Sequence, residues 1–319
     1  MKEYCLGIDI GGTSVKYGLF NRNGELLEKW SSQTNTQENG RYIIPEIAFS
    51  VNAALEKNEI RREQVAGAGV GVPGQVMEDG SILLAENIGW ENVPLTQELE
   101  KLTGIKTYAE NDANLAALGE IWRGSAKNFH SMVFVTLGTG IGCGIVVDDK
   151  IISGANGAAG EIGHMHMEDH MTIPCNCGKY GCLEQLASAT GLRYLGNKAL
   201  EASTIPSELR KTEVSARTIF EAVKQKDALA IQIVEKFGEY MGKALANCTC
   251  ILNPEVIVIG GGVSKAGEVV LEYIEKYYHK YAYVSCADTK FKIAELGNDA
   301  GIFGGAKLAM KGKECSPYS

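Results

Sequence analysis

No run of apolar residues in this sequence approaches the roughly 18 needed to span a bilayer, so a transmembrane helix is not expected. A basic surface is missing as well. The 31 lysines and arginines are outnumbered by 39 aspartates and glutamates, for a net charge of −8. With no basic stripe to compensate, nucleic-acid binding is excluded as the main activity. The N-terminus lacks the marks of a secretory signal, because its apolar stretch contains an acid and no cleavage region follows. No long linker or low-complexity segment divides the chain. What is there is a 319-residue sequence, 45% hydrophobic and 22% charged, with 38 glycines. That composition describes a globular α/β protein rich in tight turns and, from its length, built of two domains.

Nine cysteines, an odd number without secretory context, point to a reducing cytoplasm. Three of them, Cys175, Cys177 and Cys182, follow His164 within nineteen residues. One histidine and three cysteines make a complete Cys3His ligand set for tetrahedral zinc. Glu161 and Glu184 bracket the set. Zinc would stiffen a glycine-rich loop and hold both carboxylates and one face of His164 as the wall of a polar pocket. The plainer alternative is a staple for the fold with no substrate contact. Four protein ligands leave no open position, so the metal is not the Lewis acid of a reaction. Cys5, Cys143, Cys248, Cys250, Cys286 and Cys315 lie mostly in apolar segments and are expected to be small buried hydrophobes. Cys248 and Cys250 fall two apart in a helical pattern, where they face different sides, so they are not expected to share a metal.

Along the chain, Tyr4 to Asp9 reads as a short apolar strand, turned by Gly11-Gly12-Thr13 into a second strand, Val15 to Phe20. Asn21 to Gly24 gives a hairpin turn into Leu26 to Trp30. Ile43 to Asn58 has helical periodicity, Val65 to Val72 is a continuous apolar strand, and Leu95 to Thr103 is a helix stopped by Gly104. Ile105 to Ala109 follows as a strand, and Asp112 is expected at the N-cap of a helix reaching about Trp122. The pattern then restarts: strand Met132 to Leu137, turn Gly138 to Gly142, and strands Gly144 to Val147 and Lys150 to Ser153. Ala228 to Leu252 is the longest helix, and the buried strand Val256 to Ile259 ends in Gly260-Gly261-Gly262. Two halves that begin alike suggest one supersecondary unit used twice. The expected domains are residues 1–111 closed by a returning helix at about 301–319, and residues 112–300.

The turns Asp9-Ile-Gly11-Gly12-Thr13 and Leu137-Gly138-Thr139-Gly140 share a design. Glycine lets main-chain N–H groups approach an anion, and the threonine hydroxyl adds a donor. Neither is a Walker loop or a dinucleotide fingerprint, because each joins two strands rather than a strand and a helix. Either could be a plain hairpin; two at equivalent points favour phosphate binding. Gly261 and Gly262, after an apolar strand, suit a nucleotide at that strand's carboxyl end. Asp9 is either a Mg²⁺ partner, direct or through water, or a turn-capping aspartate.

Six segments in order resemble the ROK family of bacterial sugar kinases across nearly the whole chain. They are Asp9 to Thr13, Glu110 to Glu120, Leu137 to Gly142, Gly160 to His164, Cys175 to Glu184 and Ile259 to Gly262. Ala187 to Gly191 and Leu296 to Gly301 add a likeness to the ATP-dependent glucokinases of Gram-positive bacteria. The resemblance implies a two-domain α/β fold of the actin-like ATPase (ribonuclease H-like) class with an interdomain cleft. It implies Asp112 as catalytic base, with Asn87, Asn111, Glu161, His164 and Glu184 binding the sugar and Gly74 near it. ATP, Mg²⁺ and structural Zn²⁺ are the implied cofactors, glucose or a related hexose the substrate, and a homodimer the assembly. Cys143 departs from the family's usual glycine, and His166 and His170 match no family ligand and are expected at the surface. The nearest rival is a kinase for another hexose, above all N-acetylmannosamine. A sugar-responsive repressor of the same family is disfavoured, because the core begins near residue 4 and the charge is acidic.

Overall fold

A computed structural model describes residues 2–311, so Cys315 and the end of the expected C-terminal segment lie outside the described residues. The chain begins with β1 (Tyr4–Ile10), β2 (Ser14–Asn21), β3 (Leu26–Gln33) and β4 (Val65–Val72). Short strands β5 (Gln75–Val76), β6 (Ile82–Ala85) and β7 (Trp90–Val93) form a small antiparallel sheet that the sequence did not reveal. β8 (Thr107–Asn111) completes a five-stranded sheet in the order β3-β2-β1-β4-β8. Within it β1 runs antiparallel to β2 and parallel to β4, and β4 runs parallel to β8. β4 is an almost unbroken run of small and branched apolar residues, as a central strand covered on both faces requires. β3, at the edge, alternates exposed and half-covered residues over most of its length.

A second sheet contains β9 (Met132–Leu137), β10 (Ile141–Val147), β11 (Lys150–Ile151), β12 (Val256–Gly260) and β13 (Lys290–Ile293). Its order, β11-β10-β9-β12-β13, repeats that of the first, and β12 is parallel to both β9 and β13. The duplication suggested by two similar sequence halves is therefore present in the strand order.

The chain forms two compact units. The first holds residues up to Ser131, Gly144–Gly160 and those from Glu295; the second holds Met132–Cys143 and Glu161–Ala294. Unit one thus runs past the expected boundary at residue 111, because the helix Asp112–Arg123 packs on the returning helix Ala300–Lys311. Their backbones approach so closely that a Cβ on Gly119 would lie 3.1 Å from Gly304 N. The returning helix also rests on the sheet, where a Cβ on Gly305 would lie 2.5 Å from Gly69 O, so only glycine allows the approach. Around it Phe20, Trp122 and Phe303 cluster, with Phe20 and Phe303 edge-on at 5.0 Å. In unit two the 25-residue helix Ala228–Leu252 packs on Glu268–Tyr281, and Phe220 meets Phe237 edge-on at 6.0 Å. Among the described residues no helix is long and apolar enough to cross a membrane.

Candidate active site

In unit one, the end of β1 and the passage from β8 into the helix Asp112–Arg123 carry three acids, Asp9, Glu110 and Asp112, on either side of the end of β4. Asp9 is the penultimate residue of β1 and lies against the first turn of Ala300–Lys311, where a Cβ on Gly301 would meet Asp9 Cγ at 2.7 Å. Burial pushes the Asp9 carboxyl above the ordinary aspartate value, and Lys16, with Nζ 3.4 Å from Oδ2, only partly opposes this. A desolvated carboxylate with a loosely held partner suits a second cation.

The turn after it closes with Gly11 N–H donating to Ser14 O at 3.0 Å. Thr34 braces it from the far side. Its hydroxyl donates to Gly11 O at 2.6 Å and its N–H to Thr13 O at 3.1 Å. With these carbonyls occupied, the exposed Gly12 and Thr13 present the outer face of the turn. Asn87, in a short 3-10 turn after β6, lies beside Gly12, with a Cβ-to-Cβ approach of 3.9 Å if Gly12 carried one.

Asp112 is not the N-cap. Asn111 takes that position, its Oδ1 accepting from Ala113 N at 2.9 Å and Asn114 N at 3.3 Å. The reason lies in the backbone: Asn111 ends β8 in extended conformation, so its side chain covers the first free N–H groups. Asp112 becomes the first helical residue, and its Oδ1 accepts from its own neighbour, Ala113 N, at 2.8 Å in the same forked bond. Asn111 Nδ2 donates to Gly74 O at 3.1 Å, so its acceptor oxygen is committed and its amide keeps one N–H for a ligand. Asp9 and Asp112 flank Gly71: a Cβ there would lie 3.5 Å from Asp9 Oδ1 and 3.7 Å from Asp112 Cα. Behind them Glu110 is deeply buried and accepts from Asn111 N, Asn114 Nδ2 and Ser153 Oγ at 2.9–3.0 Å. Burial raises its pKa, opposed by those three donors.

In unit two, His164, Cys175, Cys177 and Cys182 converge, with all four ligand atoms within 4.8 Å of one another. His164 Nδ1 stands 3.6 Å from Cys175 Sγ, and Cys177 Sγ stands 3.6 Å from Cys182 Sγ. Tetrahedral zinc with Zn–S near 2.3 Å sets ligand atoms about 3.7 Å apart, so the donor set and its spacing fit that ion. The loop is shaped for this. Gly178 N donates to Cys175 O at 2.8 Å and Cys175 N to Lys179 O at 2.7 Å, folding the Cys-Asn-Cys-Gly segment into a knuckle. The other ring nitrogen of His164, Nε2, faces Glu161 Oε2 at 3.8 Å. His166 and His170 are exposed, and His166 bonds Tyr180 O and Asp169 rather than the cluster. Among the remaining described cysteines, Cys5, Cys143, Cys248 and Cys286 are buried as expected; Cys250 is exposed.

The second glycine turn closes over a shorter span than the first, with Gly138 N donating to Gly140 O at 3.0 Å. Gly261 adopts φ +82° and packs on the strand leading into this turn, where a Cβ would meet Leu137 O at 2.5 Å. Only glycine fits there. Gly262 is exposed, with open space about its Cα. Glu184 lies under the turn: its Oε2 accepts from Ile141 N at 2.9 Å, and any Cβ on Gly140 would overlap it.

The expected residues therefore fall into two groups, one per unit. Asp9, Gly11, Gly12, Thr13, Asn87, Asn111 and Asp112 gather in unit one; Gly138, Thr139, Gly140, Glu161, His164, Glu184, the three cysteines and Gly261–Gly262 belong to unit two. Sequence reasoning missed Thr34, Gly71 and Gly301. Thr34 follows an edge strand with no motif around it; the two glycines matter only because helix and sheet approach closely there.

A sequence profile of the ROK family matches residues 5–312. The chain is 42% identical to a glucokinase of Halalkalibacterium halodurans over 97% of this chain and 96% of that protein. It is 36% identical to a glucokinase of Thermotoga maritima over 96% of this chain and 97% of that one. Among solved structures it superimposes with a TM-score of 0.77 on a ROK family glucokinase from Streptomyces griseus in complex with glucose and AMPPNP. The identity there is 31%, covering 97% of this chain and all of the other.

Proposed function

The chain belongs to the ROK family, and from that premise we propose that it transfers the γ-phosphoryl group of ATP to the 6-hydroxyl of glucose. The observation that carries this reading is its likeness, over nearly the full length of both chains, to glucokinases. The arrangement of side chains supplies a mechanism.

Asp112 acts as general base. As O6 attacks the γ-phosphorus, the O6–P bond forms, the bond from phosphorus to the β–γ bridging oxygen breaks, and the O6 proton passes to the carboxylate. Because Asn111 caps the helix, the Asp112 carboxylate is not required as the cap, and that leaves it for the role of proton acceptor. The remaining N–H of Asn111 donates to the sugar, Glu161 and Glu184 accept from its hydroxyls, and Asn87 lies at its edge. His164 contacts the sugar through Nε2 while Nδ1 faces the thiols. Zinc held by His164, Cys175, Cys177 and Cys182 supplies rigidity, fixing the ring and the loop rather than the chemistry. Gly11 to Thr13, Gly138 to Gly140 and Gly261–Gly262 receive ATP, and Asp9, whose carboxylate is desolvated, would hold Mg²⁺, directly or through water, to offset charge on the phosphates. The family also supports a homodimer, and the unpaired cysteines support a reducing cytoplasm.

ADP release by the purified protein with Mg·ATP and, separately, glucose, N-acetylmannosamine, mannose and fructose tests the substrate. Preference for glucose is expected. Preference for N-acetylmannosamine would overturn the substrate while leaving the base and metal loop in place.

A further inference from the structure

We infer that Glu184 is a positioning residue for the nucleotide turn Gly138–Gly140, in addition to any contact it makes with sugar; this rests on the reading of that turn as a phosphate site. Three observations within unit two carry it. Glu184 Oε2 accepts the N–H of Ile141, the residue that leaves the turn, at 2.9 Å. Gly140 packs so tightly on the same oxygen that no side chain fits between them. Five residues beyond Glu184, Ala189 N donates to Gly138 O at 2.9 Å, holding the other end of the turn.

The segment after Cys182 thus grips the turn at both ends, and Glu184 is its only carboxylate. A negative group beneath an anion-binding turn weakens phosphate binding by Coulomb repulsion unless its acceptor oxygen is needed there. Its position under Ile141 N supplies that need: the bond fixes the direction in which the turn's N–H groups point. Glu184 also follows Cys182 by two residues, with Oε1 4.0 Å from Cys175 Sγ. The same side chain therefore touches the metal-ligand cluster and the nucleotide turn. Sugar wall and nucleotide turn share one strut.

Three variants separate these roles by nucleotide titration calorimetry in the absence of sugar. Gly138→Ala probes the turn itself. A Cβ there meets nothing nearer than Gly140 O at 4.0 Å, so the variant should fold while its methyl obstructs phosphate. Glu184→Ala removes the acceptor. Glu184→Gln keeps an acceptor oxygen and removes the charge. Loss of one hydrogen bond to a charged group predicts about tenfold weaker ADP binding for Glu184→Ala. Glu184→Gln should hold ADP at least as tightly as the parent while losing glucose affinity. If Gly138→Ala weakens ADP and Glu184→Ala does not, the strut inference is overturned. It is overturned too if Glu184→Gln weakens ADP as much as Glu184→Ala. If Gly138→Ala itself leaves ADP binding unchanged, the turn is not the phosphate site, and that earlier reading fails instead.

Discussion

The two glycine turns stand at equivalent points of a repeated strand order and differ in where their carboxylate comes from. In unit one the acid is Asp9, on the strand that enters the turn, and the carbonyls behind it are held by Thr34. In unit two the corresponding strand position is Thr136, and the acid is Glu184, more than forty residues away in sequence. A duplicated strand–turn–strand can keep its strand order while its two copies take different work. The Asp9 carboxylate is desolvated and only loosely held by Lys16, which suits a cation ligand. Glu184 is tied to the backbone, the state of a brace. On the proposed reading, unit one supplies the base Asp112 for the chemistry, and unit two, with its Cys/His cluster, supplies rigid recognition.

That division predicts that substitution of the base in unit one falls on turnover, while substitution of the metal loop in unit two falls on sugar affinity. The largest effect expected is Asp112→Asn, which should lower kcat by about 10²- to 10⁴-fold while glucose affinity by calorimetry stays within a few-fold. A comparable loss of glucose affinity would erase the contrast. Next comes Cys175→Ser in unit two. Metal content should fall well below one zinc per chain, because a thiolate ligand is lost, with the loss of activity appearing as raised KM for glucose. Zinc-free parent protein with normal KM would contradict the rigid-wall assignment.

Smaller effects sharpen the comparison of the turns. Thr34→Val removes the hydroxyl that holds Gly11 O and should cost about 1 kcal/mol of stability in denaturant unfolding, with ADP affinity weakened through unit one alone. Asp9→Asn should raise Tm slightly at neutral pH even as it removes the Mg²⁺ contact. The sign follows from burial. Because the folded pKa lies above the ordinary aspartate value of 3.8, the folded state holds its proton longer than the unfolded chain does. Asp9 therefore subtracts stability as pH rises from about 3.8 through its folded pKa, and the subtraction is complete above it. The Asn variant should lack that fall. An unchanged Tm-versus-pH curve would remove the desolvation argument for a cation at Asp9.

Much of this was legible in the sequence because it was local. β4, β9 and the helices at Leu95–Thr103 and Ala228–Leu252 begin and end where their apolar patterns and stop signals lie. The Cys/His cluster could be read from spacing, since a knuckle and a short gap bring its members together. What could not be read depended on residues distant in sequence. The small sheet β5-β6-β7 consists of strands two to four residues long, too short for periodicity to register. Asp112 reads as an N-cap because aspartate favours that position. The cap passed to Asn111 because β8 delivers Asn111, not Asp112, in extended conformation at the helix start. The bond from Ile141 to Glu184 had no local signal at all. The extension of unit one's first stretch to Ser131, past residue 111, likewise follows from two helices meeting through glycines.

Phosphorus NMR of the products formed from Mg·ATP and glucose tests the proposed phosphoryl transfer most directly. Glucose 6-phosphate and ADP should appear in equal amounts, with negligible ADP when glucose is omitted. Phosphate on another hydroxyl, or ADP formed equally well without sugar, would contradict it.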